Sequence, residues 1–215
     1  DASKRSAFIN SVCFYNSGNY CIPLVQLMYH TAFAFSVQIV VMLIQQLLTN
    51  TVGVMNASCA NRSWKGALLE NFKMPMTYAV LLAVLCRWIN LDVPKPLWTS
   101  MELMAQGLVP TALITLGAQL ASTRLYLRNF RVLVSNGMRL LAGPLLAAGV
   151  CLMFGITGVV AQVMVICAAA PSAVNSVLLA IEYKSDPEFA SQTVFLSTLL
   201  SALSMPVVIA LVQYL

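Results

Sequence analysis

Two apolar runs of this chain, each long enough to cross a bilayer, are broken at their centres by residues that oppose a continuous helix. The first break runs from Asn16 through Ser17, Gly18 and Asn19 to Pro23, and the second from Pro171 through Ser172 to Asn175 and Ser176. Proline removes a backbone donor and glycine relaxes the backbone around it. Lipid offers the freed N–H and C=O groups no partner, so such breaks persist only against protein or beside a water-filled cavity. Breaks at corresponding positions of two repeats point to the substrate region of a secondary transporter.

The surrounding solvent follows from composition. Hydrophobic residues make up 60% of the chain and charged residues 9%, with a mean hydropathy of +0.82, whereas soluble domains carry about 25% charge. Reading for apolar runs of about 20 residues gives seven spans, at 7–28, 32–52, 74–91, 98–121, 136–154, 158–181 and 190–214. The alternating ten-residue pattern of barrel strands is absent. The expected fold class is therefore an all-α integral membrane protein, with seven transmembrane helices in this chain and a plasma-membrane location.

Basic residues orient these spans, because Lys and Arg concentrate on the cytoplasmic side. Lys4 and Arg5, then Arg62, Lys65 and Lys73, then Arg124, Arg128, Arg131 and a flanking Arg139, and finally Lys184 fall on one side, leaving Arg87 and Lys95 on the other. This places the N-terminus in the cytoplasm and the C-terminus outside. Topology accounts for the net charge of +5, and nucleic-acid binding is not needed to explain it.

In that topology the two broken helices run in opposite directions, five spans apart. An odd offset of five is what an inverted repeat of five helices per unit produces. Residues 74–215 would then form a complete second repeat, with its crossover helix at 158–181. Residues 1–52 would hold the last two helices of the first repeat, with its crossover helix at 7–28, and 53–73 a cytoplasmic loop. On this reading the first repeat lacks three helices, and the chain is expected to be an N-terminally truncated piece of a ten-helix fold, with a genuine seven-helix protein as the alternative.

The residues at the breaks resemble a known family. The stretch from Phe14 to Leu24 is similar to the fourth-helix motif of the auxin efflux carrier family, within the broader group of bile acid, arsenite and auxin transporters. The stretch from Ala170 to Tyr183, continuing through Asp186, Pro187 and Glu188 to the segment from Ser197 to Pro206, resembles its ninth and tenth helices. Leu116 to Leu120 resembles the end of its seventh. The resemblance implies ten helices, with the fourth and ninth unwound and crossing near the bilayer centre beside a scaffold domain. It also implies small organic acids as substrates. Carried over by position, Asn16 matches the family's substrate-facing asparagine, and Pro23 and Pro171 match its two crossover prolines. Plant members carry Asn-Pro-Asn where this chain has Met74, Pro75 and Met76, and they have a far longer cytoplasmic segment. A microbial-type permease is the better match than an auxin exporter.

The residues themselves also favour an anion. Half-helices that begin in mid-membrane present free N–H groups and a partial positive end. No Lys or Arg is expected at the centre of any span. Candidate substrate-binding groups are the amides of Asn16, Asn19 and Asn175 and the hydroxyls of Ser17, Ser172 and Ser176, with Gly18, Pro23 and Pro171 shaping the crossover. The competing reading is that these groups only satisfy broken backbone. Glu102, near the start of the fourth run with Gln106 one turn on, is a candidate coupling group that could pair with Arg87, or else a solvated helix end. A proton or sodium ion as coupling ion, and uniport, all stay open. No cofactor is expected. A homodimer is a compatible assembly.

Other features carry less. His30 falls in an external turn without an identifiable partner. The six cysteines show no CxxC spacing and read as small packing residues, although Cys21, inside the first crossover, is expected to be water-accessible. The Asn56 and Asn61 glycosylation patterns fall on the cytoplasmic side. No catalytic acid, base and nucleophile set and no metal-ligand cluster is evident. The alternative function is a seven-helix receptor or photoreceptor-like protein. No lysine lies within 190–214 to attach retinal.

Overall fold

A computed structural model describes residues 2–57, 75–89, 91, 93–122 and 129–215. The described chain is helical, in the order α1 (Ala2–Cys13), π1 (Ser17–Cys21), α2 (Ile22–Tyr29), α3 (Ala32–Leu48), π2 (Thr49–Gly53), α4 (Val54–Ala57), α5 (Pro75–Trp88), α6 (Lys95–Gln106) and α7 (Leu108–Ser122). It continues with α8 (Phe130–Gly137), π3 (Met138–Ala142), α9 (Gly143–Met153), α10 (Gly158–Ala168), α11 (Val174–Glu182) and α12 (Pro187–Val212). The all-α membrane class expected from the sequence is what the described residues form. Three helical stretches among them, Ala32–Ala57, Phe130–Met153 and Pro187–Val212, are long and apolar enough to cross a membrane uninterrupted.

Burial is distributed as in a protein whose outer solvent is lipid. Large aliphatic side chains such as Leu145, Leu203 and Ile114 stand exposed, while Gln38, Asn136 and Thr193 are fully buried. Water would reverse that preference. The apolar core is centred on α10, whose Ala161, Val163, Ile166 and Cys167 are shut off from the surface together with Val25 of α2 and Ala34 of α3. Small residues on α10 let neighbouring backbones approach closely.

Local sequence sets the element ends. At α12 the Asp186 carboxylate accepts from the Phe189 N–H at 3.2 Å, Pro187 occupies the first turn, and Glu188 faces the positive helix end, a combination that favours a helix start. The helix then runs on through Pro206 and packs on α1, α8, α10 and α11. Between α2 and α3, His30 takes φ 47° and Thr31 caps α3 through Ala34, which closes the reversal within two residues.

The π turns have readable causes, a following proline at two of the three and threonine back-bonding at the other. π1 is followed by Pro23 and π3 by Pro144, each in the first turn of the next α-helix. Proline cannot donate to the carbonyl four residues back and its ring presses on that turn, so the preceding turn widens. At π2 the Thr49 and Thr51 hydroxyls instead back-bond to the Gln45 and Leu47 carbonyls, a contact that loosens helices.

Several sequence boundaries are corrected. The first span begins at Ala2 rather than 7, because the basic residues Lys4 and Arg5 are tolerated in a helix that hydropathy alone excludes. The 98–121 run is split at Gly107 into α6 and α7, and residues 53–57, assigned to a loop, are helical. The 136–154 span begins at Phe130, which carries Arg139 two turns into the protein instead of to its edge. The rest of the 53–73 segment, the Asn61 pattern, Met74, Arg124 and Arg128 lie outside the described residues.

Candidate functional site

The two interruptions meet. Phe14, Tyr15 and Asn16 lie outside regular helix between α1 and π1, Asn16 turning at φ −80° and ψ 74°, and Tyr15 pairs with Ser172 in an antiparallel bridge. The Asn16 N–H donates to the Pro171 carbonyl at 2.9 Å and the Ala173 N–H to the Phe14 carbonyl at 2.9 Å. The broken helices thus satisfy part of each other's backbone, which lipid cannot do. The residues that break the first helix are 14–16, and Pro23 lies beyond them in the first turn of α2. Of the second set, Pro171 and Ser172 are in the break, while Asn175 and Ser176 belong to the first turn of α11.

Several other groups at the crossing are satisfied from three further elements. From α3, the Gln38 amide donates to the Ser17 carbonyl at 2.9 Å and the Gln45 amide to the Tyr15 carbonyl. Asn175 donates to Gln46 at 3.5 Å. Gln38 also accepts from the Cys167 thiol at 2.6 Å, so it ties both broken helices to α3. From α12, the Ser197 hydroxyl accepts the Ser172 N–H at 3.1 Å, and the Ser172 hydroxyl in turn donates to the Ser11 carbonyl of α1 at 2.7 Å.

The third contribution overturns the expectation that no cationic side chain is central. Arg139, on π3, is buried and donates from Nε to the Ala170 carbonyl at 3.1 Å, from Nη1 to the Val12 carbonyl at 3.0 Å, and from Nη2 to the Ala168 carbonyl. Its guanidinium also lies 5.2 Å from the centre of the Tyr15 ring, a favourable cation–π placement. Val12 and Ala168 are the last turns of α1 and α10, where a helix exposes orphan carbonyls and roughly half a negative charge. One guanidinium therefore offsets two such ends, and its planar fork suits divergent acceptors better than an ammonium would.

Arg139 and the glutamines were missed for identifiable reasons. Drawing the fifth span from 136 put Arg139 at a boundary. The glutamines are spaced 38, 45 and 46, one face of a helix at seven- and eight-residue intervals, and that spacing inside an apolar run was the available signal. We expect Gln38→Leu, which removes the donor to the Ser17 carbonyl and the acceptor of the Cys167 thiol, to lower stability by about 1–3 kcal/mol. Thermal unfolding of the purified protein in detergent measures this, and an unchanged melting temperature would count against the role of Gln38.

The predicted site residues separate into two groups. Ser172 and Ser176 are fully buried, and their hydroxyl protons are committed to the Ser11 and Ala173 carbonyls. Asn16 differs. Its Oδ1 accepts from the Asn19 N–H at 3.2 Å and caps π1, while its buried Nδ2 has no partner among the described residues. Beside it, a Cβ added at Gly18 would meet no atom within 4 Å, so the space next to the first break is open. Cys21, expected to be accessible, is fully buried because π1 turns it toward α10. Glu102 is exposed on α6, and among the described residues no ion pair joins it to Arg87.

Two helix breaks that complete each other's backbone inside an all-α chain of membrane type are an arrangement that secondary transporters use. Residues 60–209 match the family model described as membrane transport protein, and the chain belongs to that family, the auxin efflux carrier family of permeases. It is also 34% identical over 116 residues to an uncharacterized transporter of Methanothermobacter thermautotrophicus, a match covering 50% of this chain and 36% of that relative. The chain thus spans little more than a third of the length of the curated relative it matches.

Proposed function

We propose that this chain carries the substrate crossing of a secondary transporter for small organic anions, carboxylates foremost, working by alternating access in the plasma membrane. The reading includes seven spans here out of a ten-helix inverted repeat, with the N-terminus of the chain cytoplasmic. The observation that carries it is the charge balance of the crossing. Arg139 offsets the negative ends of α1 and α10, whereas the positive ends of π1, capped by the neutral Asn16 Oδ1, and of α11 face no charged side chain among the described residues, beside the unpartnered Asn16 Nδ2. Each such end presents roughly half a positive charge and free N–H groups, a setting suited to a carboxylate. We assign Asn16, Ser17, Asn19 and Asn175 to its binding, whereas Ser172 and Ser176 hold the backbone.

The test is uptake by proteoliposomes of a panel of mono- and dicarboxylates and indole acids, with and without a pH gradient. Asn16→Asp separates the two roles of Asn16, because it keeps the oxygen that caps π1 and replaces the free donor by a negative charge. Transport is expected to be lost in Asn16→Asp and in Asn16→Ala with membrane insertion retained, and only Asn16→Ala should lose the cap's contribution of about 1 kcal/mol. Undiminished transport in either variant would remove Asn16 from the site.

A further inference from the structure

Resting on the transporter reading above, we infer that Arg139 permanently fills the seat a coupling sodium ion would use, so that this crossing works without sodium. Where transporters couple to sodium, unwound carbonyls and the C-terminal ends of half-helices hold the ion. Here the corresponding oxygens are those of Val12, Ala168 and Ala170, and the three arms of one guanidinium already engage all of them. The group is buried, keeps its proton under all physiological conditions, and is tethered by its own chain through π3. A metal ion at the same oxygens would have to displace it or sit against a like charge.

The surroundings give a second cation no compensation. The face of Tyr15 is covered by the guanidinium itself. Among the described residues, Glu102, Glu182 and Glu188 are exposed and Asp186 caps α12, so no described carboxylate is buried near the crossing. The three carbonyls therefore serve one resident charge in every step of the cycle. The side chain is a positioning group that holds the ends of α1 and α10 together, and the anion's site lies at the opposite helix ends.

Two measurements on the full chain test this. In detergent, the wild-type melting temperature is expected to be the same in sodium, potassium and choline chloride at equal ionic strength, and a sodium-specific rise would overturn the inference. Arg139→Gln is expected to melt lower, and to be raised again by sodium or by low millimolar guanidinium but not by choline. Arg139→Lys, which keeps a charge and folds more readily, is expected to melt between the two and to show no sodium effect. Loss of stability in Arg139→Gln without any cation rescue would reduce the residue to packing and overturn the proposal. In proteoliposomes, equal carboxylate uptake with sodium replaced by choline supports it, and sodium-dependent uptake refutes it while leaving the transporter reading intact. If no acid is taken up in either medium, the transporter reading fails, and the melting comparison still decides the seat of the cation.

Discussion

Arg139→Met is expected to be the most damaging single substitution in this chain. Methionine keeps much of the apolar stem but supplies no donor, so the Val12, Ala168 and Ala170 carbonyls lose their partner in a buried place. Orphaning a buried acceptor costs about 1–3 kcal/mol, and removing one member of a buried charged arrangement costs about 3–5 kcal/mol. The ends of α1 and α10 would also face each other with like partial charges. Since α1 and α10 lead directly into the bridge at Tyr15 and Ser172, the crossing itself should loosen. The expected result is a sharp fall in the yield of monodisperse protein and in melting temperature, with transport lost. A variant that melts like the wild type would mean that the guanidinium does not hold the two helix ends.

Gly143→Ala is the second. A Cβ at Gly143 would lie 2.7 Å from the Ala168 carbonyl oxygen and 3.3 Å from Nη2 of Arg139. The first contact is with backbone, which cannot rotate aside, so α9 and α10 must separate. Overpacking of this kind costs about 1–3 kcal/mol, and the displacement draws the Ala168 carbonyl out of reach of the guanidinium. Gly149 on the same helix provides the control, because nothing stands within 4 Å of a Cβ there. Gly149→Ala is expected to be neutral or to stabilise by about 0.5–1 kcal/mol, the ordinary gain of alanine over glycine in a helix. Melting curves of the two variants side by side make the comparison, and equal effects would show that the close approach at Gly143 is unimportant.

What was readable in the sequence is what violates a pattern. Pro171, Asn16 and Gly18 stand out in apolar runs, so the existence of two breaks and their spacing can be read from the residues, and the motifs around them carry the resemblance to the family. Their mutual pairing was implied by the resemblance and is realised in the Tyr15–Ser172 bridge. What supports the crossing was not readable, because it comes from residues that are ordinary in their own segments. Arg139 looks like one more basic flank until α8 is seen to start at Phe130. Gln38 and Gln45 look like tolerated polar residues until the carbonyls they meet are located. The π turns depend on a proline several residues downstream, an effect that a residue-by-residue reading assigns to the proline's own position. For the same reason the first break reads from the sequence as Asn16 to Pro23, whereas the chain leaves the helix at Phe14 and resumes regular α-helix at Ile22.

The fate of Ser172 and Ser176 illustrates the same limit. Hydroxyls near a break suit a ligand and a carbonyl equally well, and only the position of the Ser11 and Ala173 carbonyls distinguishes the two. Asn16 combines both roles, one atom capping π1 and the other left free.

The most direct test of the account is an experimental structure determined with a small carboxylate bound. It should place the carboxylate against Asn16 and the first turn of α11, with Arg139 still engaged by the Val12, Ala168 and Ala170 carbonyls. A carboxylate paired with Arg139 itself, or bound away from the crossing against α5 and α6, would contradict it.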